Sequence, residues 1–258
     1  MTPYAPREHV LTDPSGLTER ARRFLREHAS RDPFDAAKGP SDEELRHQLR
    51  TFFGITDDGT LTRLRQAQAR YGGLRYRSVP LHADVVFAPW PEYEAEDGEP
   101  IAWFLDLMVA LPLAVWMLAD GTVAYCQPGP PAPGGTVVPA FPTADALIES
   151  DALHHAPAPW TRLTDPPPLP AHAVHATAER LRLPPLAAAS GFTEHWWQRS
   201  GFRIHVSSTF ARISERPEDA TWHIWTADAG GRDAARDFLA EATAQAGAGP
   251  VTGTAAGP

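Results

Sequence analysis

The stretch Asp58 to Arg77, DGTLTRLRQAQARYGGLRYR, changes period at its centre, and that change constrains the fold more than any other feature. Asp58 or Thr60 can cap a helix by accepting hydrogen bonds from its first free backbone N–H groups. Leu61, Leu64, Ala67 and Tyr71 then recur at spacings of three and four, an apolar stripe bordered by arginines and glutamines. Gly72 and Gly73 follow at once, and glycine is the residue that takes the left-handed turn ending a helix. Beyond them Leu74 and Tyr76 alternate with Arg75 and Arg77, the period of a half-buried strand. A helix is thus delivered into a sheet through a double glycine.

The flanking segments extend the pattern. Leu17 to Ala29 is an arginine-rich amphipathic helix, and Ser41 to Glu44 forms a capping box before a helix whose buried face is Leu45, Leu49, Phe52 and Phe53. Past Gly73 the period is two. Strands are expected over Leu74–Arg77, Val85–Phe87, Leu113–Leu118, Thr122–Cys126 and Val137–Phe141, with Asp120-Gly121 as a hairpin turn and a closing helix over Ala144–Leu153. Helices, then sheet, then helix make an α+β chain with an antiparallel-rich sheet, not a succession of βαβ units.

Proline marks the divisions. The 27 prolines are concentrated in a few places, above all in APAPWTRLTDPPPLP. The expected organisation is a flexible leader over 1–16, an α+β domain over 17–155, a proline-rich linker over 156–170, a small α/ββ/α unit over 171–245 and a disordered tail over 246–258. In the small unit, strands fall near Phe202–Ser208 and Thr221–Ala227 between two helices.

Composition limits the chemistry. A single cysteine, Cys126, excludes an intramolecular disulfide framework and a multi-cysteine zinc site, and suits a reducing cytoplasm. The first residues show no apolar signal-peptide core. Ile101–Leu118 is apolar enough to suggest a membrane span, but Asp106 and Pro112 interrupt it, so a short buried helix or loop and then a core strand is expected, with no membrane partner. No catalytic motif, phosphate loop or cofactor fingerprint is present. His172 and His175 stand three apart on a helix, a spacing that can share a metal, but no partnering carboxylate or cysteine sits at a recognisable offset, so no metal site is assigned. Strand alternation places Phe202, Ile204 and Val206 opposite Arg203 and His205, and Trp222 and Ile224 opposite His223 and Trp225. His205, His223 and Trp225 form a possible secondary partner patch.

Charge carries more information. Residues 1–77 hold fourteen bases and eleven acids, and residues 162–258 nine and ten. Between Ser78 and Thr161 there are eleven acids and no lysine or arginine. Five of those acids, Glu92, Glu94, Glu96, Asp97 and Glu99, surround Tyr93. Such a segment repels nucleic-acid phosphates and speeds association with a basic protein.

Phe53-Gly54-Ile55, Leu61 and Leu64, Tyr71-Gly72-Gly73-Leu74, the Gly121-Thr122-Val123 hairpin and FPTADALIESDAL at Phe141–Leu153 together resemble the SUKH superfamily. That group includes bacterial toxin-immunity proteins and a fungal cell-wall-synthesis regulator domain. The resemblance spans roughly Ser41 to Leu153, with Thr62 where the family usually has proline and Gln68 or Ala69 near its Phe-Leu pair. It implies a non-enzymatic protein without cofactor that neutralises a cognate toxin. Combined with the charge distribution, it gives the expectation of a cytoplasmic immunity-type protein that binds a basic toxin through Glu92–Glu99. Two alternatives remain from the residues. One is a regulatory or scaffolding module that uses the tryptophan-rich unit. The other is a hydrolase built from Ser190 or Cys126 with His154 or His195.

Overall fold

A computed structural model of the protein describes residues 8–91, 100–105, 114–127, 136–155, 158–164 and 166–247. The chain forms two compact units, one of Met1–Ala156 with Ala188–Phe192, the other of Pro157–Ala187 with Thr193–Pro258. Both are helices on antiparallel sheet, an α+β fold.

The first unit is built on a seven-stranded meander: β1 (Ala29–Arg31), β2 (Leu74–Ser78), β3 (Ala83–Ala88), β4 (Pro100–Leu105), β5 (Ala114–Leu118), β6 (Val123–Gln127) and β7 (Thr136–Phe141). Spatial order equals chain order and every neighbouring pair is antiparallel. Its helices are α1 (Glu19–His28), α2 (Asp42–Phe53), α3 (Asp58–Tyr71) and α4 (Ala144–His154). Period-two burial on β2 and β3 turns Leu74, Tyr76, Val85 and Phe87 to one face. That face meets the helices through an aromatic chain. Phe24 of α1 packs edge-on to Tyr76 at 5.2 Å, and Tyr71 of α3 lies 5.4 Å from Phe87.

Local chemistry explains the helix ends. Ser41 and Glu44 make the reciprocal capping box at α2, and Gly54 ends the helix in the left-handed region. Ser41→Ala is expected to lower the unfolding free energy by about 1 kcal/mol, measurable as a shift of the urea midpoint at constant slope. On α2 the buried face is Leu45 and Leu49, while Phe52, one turn further on, is 48% exposed. The cap of α3 is Asp57, one residue before the expected candidates. Its carboxylate accepts from both the backbone N–H and the hydroxyl of Thr60, while Asp58 pairs with Arg46 at 2.8 Å. At the junction itself Gly72 keeps a negative φ and Gly73 has φ +82°. Both positions are crowded. A Cβ on Gly72 would sit 2.2 Å from the Phe34 ring, and one on Gly73 2.2 Å from the carbonyl oxygen of Asp32.

Four expectations are corrected. Residues 9–15 are not a loose leader, because Val10 N donates to Arg70 O and the Arg70 guanidinium donates to the carbonyls of Asp13 and Ser15. Pro100–Leu105 is strand β4, not a helix or loop. The supposed linker contains β8 (Thr161–Arg162), and Leu163 N donates to Ile224 O, so its prolines space a segment that belongs to the second unit. Finally, Ala188–Phe192 falls with the first unit, where Phe192 N donates to Ala140 O. Residues 1–7 and 248–258 lie outside the described residues.

The second unit holds β8, α5 (Ala171–Arg180), β9 (Glu194–Arg199), β10 (Phe202–Ser207), α6 (Thr209–Ile213), β11 (Thr221–Thr226) and α7 (Ala229–Gly247). Four strands pair antiparallel in the order β8-β11-β10-β9, two more than the small unit was expected to have. Trp197, Phe202, Ile204, Val206 and Ile224 form one face and pack with Val174 of α5 and Phe238 and Leu239 of α7. No helix among the described residues is long and apolar enough to cross a membrane.

Candidate functional site

Arginines of the N-terminal third reach into the base-free middle third. Arg20 and Thr18 hold Glu149, at 2.9 Å and 2.7 Å to Oε2. Arg70 stands 3.8 Å from Asp145, whose other oxygen accepts from Tyr71 OH at 2.7 Å. Arg75 and Arg77 flank Asp84 at 3.2 and 3.5 Å. Asp151 accepts from the Ser78 hydroxyl at 2.8 Å, and Asp120 accepts from Thr122 N within its own turn. The described acids of this third are therefore bound into the fold, three of them by arginine.

The cluster Glu92, Tyr93, Glu94, Glu96, Asp97 and Glu99 lies outside the described residues, in the connection from β3 to β4. Leu61, Leu64 and Leu74 are buried, and Tyr71 bridges Phe87 and Asp145.

A cavity of about 550 Å³ in the first unit opens between α3, the β5–β6 turn and the start of α4. Its two cations, Arg63 and Arg70, are engaged, Arg63 with Ala119 O and Arg70 with the carbonyls of Asp13 and Ser15.

In the second unit the alternation expected on β10 and β11 is observed, and strand register assembles the polar face. Ser207 pairs with Glu194, His205 with Trp196 and His223, and Arg203 with Trp225. His205 stacks on Trp196 at 4.3 Å, and the Arg203 guanidinium lies 4.7 Å from the Trp160 ring and 5.2 Å from the Trp225 ring. The secondary patch changes character accordingly. His205 and Trp225 are 3% and 6% exposed, so they belong to a packed layer and not to an open surface. His223 is half-buried, bonded to Arg162 at 2.7 Å, and burial with the Arg162 charge lowers its pKa to about 4.

Glu194, which the sequence reading passed over, organises this layer. Its Oε1 accepts from the Ser207 and Thr209 hydroxyls, its Oε2 bonds His205 Nε2 at 2.7 Å, and Thr193 and Thr209 share a hydrogen bond of 2.6 Å. The signal was the alternation in EHWWQR, which carries β9.

His172 and His175 line a second cavity, of about 560 Å³, together with His195. Among the described residues no group of three or more histidine, cysteine, aspartate or glutamate side chains is placed to hold a metal ion. Neither a family model, a curated protein nor a solved structure matches the chain.

Proposed function

We propose that the chain is a non-enzymatic, cytoplasmic immunity-type protein that binds and neutralises a basic protein toxin through the acidic β3–β4 connection, Glu92 to Glu99. The observation that carries it is the distribution of ion pairs. Asp84, Asp145 and Glu149 pair with arginines within the fold, and five of the eight other acids of the middle third fall within eight residues. Clustered like charge in one connection attracts a basic surface and accelerates encounter. The only cysteine argues against thiol catalysis, since Cys126 is 1% exposed and burial pushes its thiol pKa up, away from the reactive thiolate.

Two measurements test the proposal. Co-expression with the toxin-like product of a neighbouring gene is expected to relieve growth arrest, and unrelieved arrest would overturn the immunity function. Charge reversal at Glu94, Glu96 and Asp97 to lysine is expected to slow association with that toxin about tenfold or more at low salt, with little change in folding. An unchanged association rate would remove the connection from the mechanism.

A further inference from the structure

The cavity of about 560 Å³ in the second unit is lined by imidazole, hydroxyl and guanidinium side chains among small apolar ones. His172 and His175 come from α5, His195 from β9, and Ser208 and Arg212 from the β10–α6 segment, with Val206 in the apolar wall. No aspartate or glutamate is among the described residues that line it. The rings of His175 and His195 meet edge to face at 4.7 Å, and Trp197 holds both, stacked on His195 at 5.8 Å and edge-on to His175 at 5.1 Å. Arg212 is exposed and has no ion-pair partner among the described residues.

These features select one ligand chemistry. Hard divalent cations are held chiefly by carboxylates, which the lining lacks, and no trio of histidine, cysteine or acidic ligands among the described residues is placed for a transition metal. A guanidinium, a hydroxyl and three imidazoles are instead donors suited to an oxyanion, and arginine pairs with phosphate in a bidentate fork. The volume is that of a small-molecule site, within the range of about 300–1,000 Å³, with Val206 and its alanine neighbours available to an apolar body. We propose that this cavity binds a phosphate monoester carried on a small apolar or aromatic group, with Arg212 and the three histidines as the phosphate donors.

Burial, foremost, and then the charge of His175 hold His195 below the ordinary histidine range; the carboxylate of Glu194 acts against this, His205 with it and Glu179 against it. His195 therefore faces a phosphate as a neutral imidazole above about pH 6.5, donating through one N–H. The second charge of the phosphate, whose pKa is about 6, is present over the same range, so binding does not require a protonated His195.

Phenyl phosphate is the probe, titrated into the full chain by calorimetry and by tryptophan fluorescence, since Trp197 touches both central histidines. Saturable one-to-one binding at about pH 7, where the phosphate carries its second charge, is expected, with inorganic phosphate weaker and phenol silent. Arg212→Gln, at an exposed position, is expected to weaken binding at least about tenfold with the fold intact. His175→Gln is expected to weaken it. Absence of binding at about pH 7, parental affinity in Arg212→Gln, or equal binding of phenol would each overturn the proposal. None of these outcomes depends on toxin binding by the other unit.

Discussion

Glu194→Ala is expected to lower the unfolding free energy of the second unit by about 3–5 kcal/mol, the range for removing one partner of a buried charged network. Glu194 is 6% exposed and its carboxylate gathers His205, Ser207 and Thr209, which are 3%, 8% and 1% exposed. Thr209 gives its single hydroxyl proton to Glu194, so Thr193 donates to Thr209 and the order of the whole chain of bonds depends on the carboxylate. Truncation leaves two hydroxyls and one imidazole nitrogen short of their acceptor and opens space beside the Trp196–His205 stack. Each orphaned buried donor costs about 1–3 kcal/mol. Ser207→Ala removes one of the three bonds and is expected to cost about 1 kcal/mol. The check is urea unfolding followed by tryptophan fluorescence, because Trp160, Trp196, Trp197, Trp222 and Trp225 all lie in this unit. A loss below about 1 kcal/mol for Glu194→Ala would mean that water replaces the carboxylate and that the network is not what orders the face.

That network also shows which parts of the protein could be read from the chain. Strand alternation made Arg203 and His205 share a face against Phe202, Ile204 and Val206, because side-chain direction on a strand is a local property of the backbone. The capping box at Ser41, the stripe on α3 and the hairpin at Gly121 were legible for the same reason: each is closed within a few residues. Two kinds of feature were not. Arg70 borders the apolar stripe of α3 and is 4% exposed because residues 9–15 return over it, a contact set by chain segments more than fifty residues apart. β8 hides among prolines, since a two-residue strand at a sheet edge needs few donors and tolerates proline on either side. Site residues followed the same division. His172 and His175 were visible as a helical pair, but their meeting with His195 and Arg212 depends on how α5 and α6 dock on the sheet. The acidic cluster could be found by counting charge, whereas the neutralisation of Asp84, Asp145 and Glu149 by distant arginines could not.

The N-terminal segment bonded to Arg70 carries the second large effect. His9 is 6% exposed, and Nδ1 of its ring accepts from Leu11 N at 3.3 Å, which leaves the ring proton on Nε2. Burial, with the Arg31 and Arg70 charges adding to it, lowers its pKa from 6.5 to about 4. A histidine lowered in the folded state takes up its proton more readily when unfolded. Stability is therefore constant above about pH 6.5, falls as pH drops toward 4, and levels off below the folded value. The full difference amounts to about 3 kcal/mol. His155, also lowered mainly by its burial, acts in the same direction in this unit, and His223 does so in the other. A difference measurement on the first unit isolates His9. Hydrogen exchange of amides in α3 and β2, compared between the parent and His9→Gln, is expected to show protection that falls steeply in the parent from about pH 6.5 to about pH 4 and more shallowly in the variant. At neutral pH the variant is itself weakened by the buried amide it introduces, so the slope and not the absolute protection is the diagnostic quantity. Equal slopes would show that His9 leaves its buried position before it titrates, and residues 9–15 would then open from α3 at lower cost than their bonds to Arg70 imply.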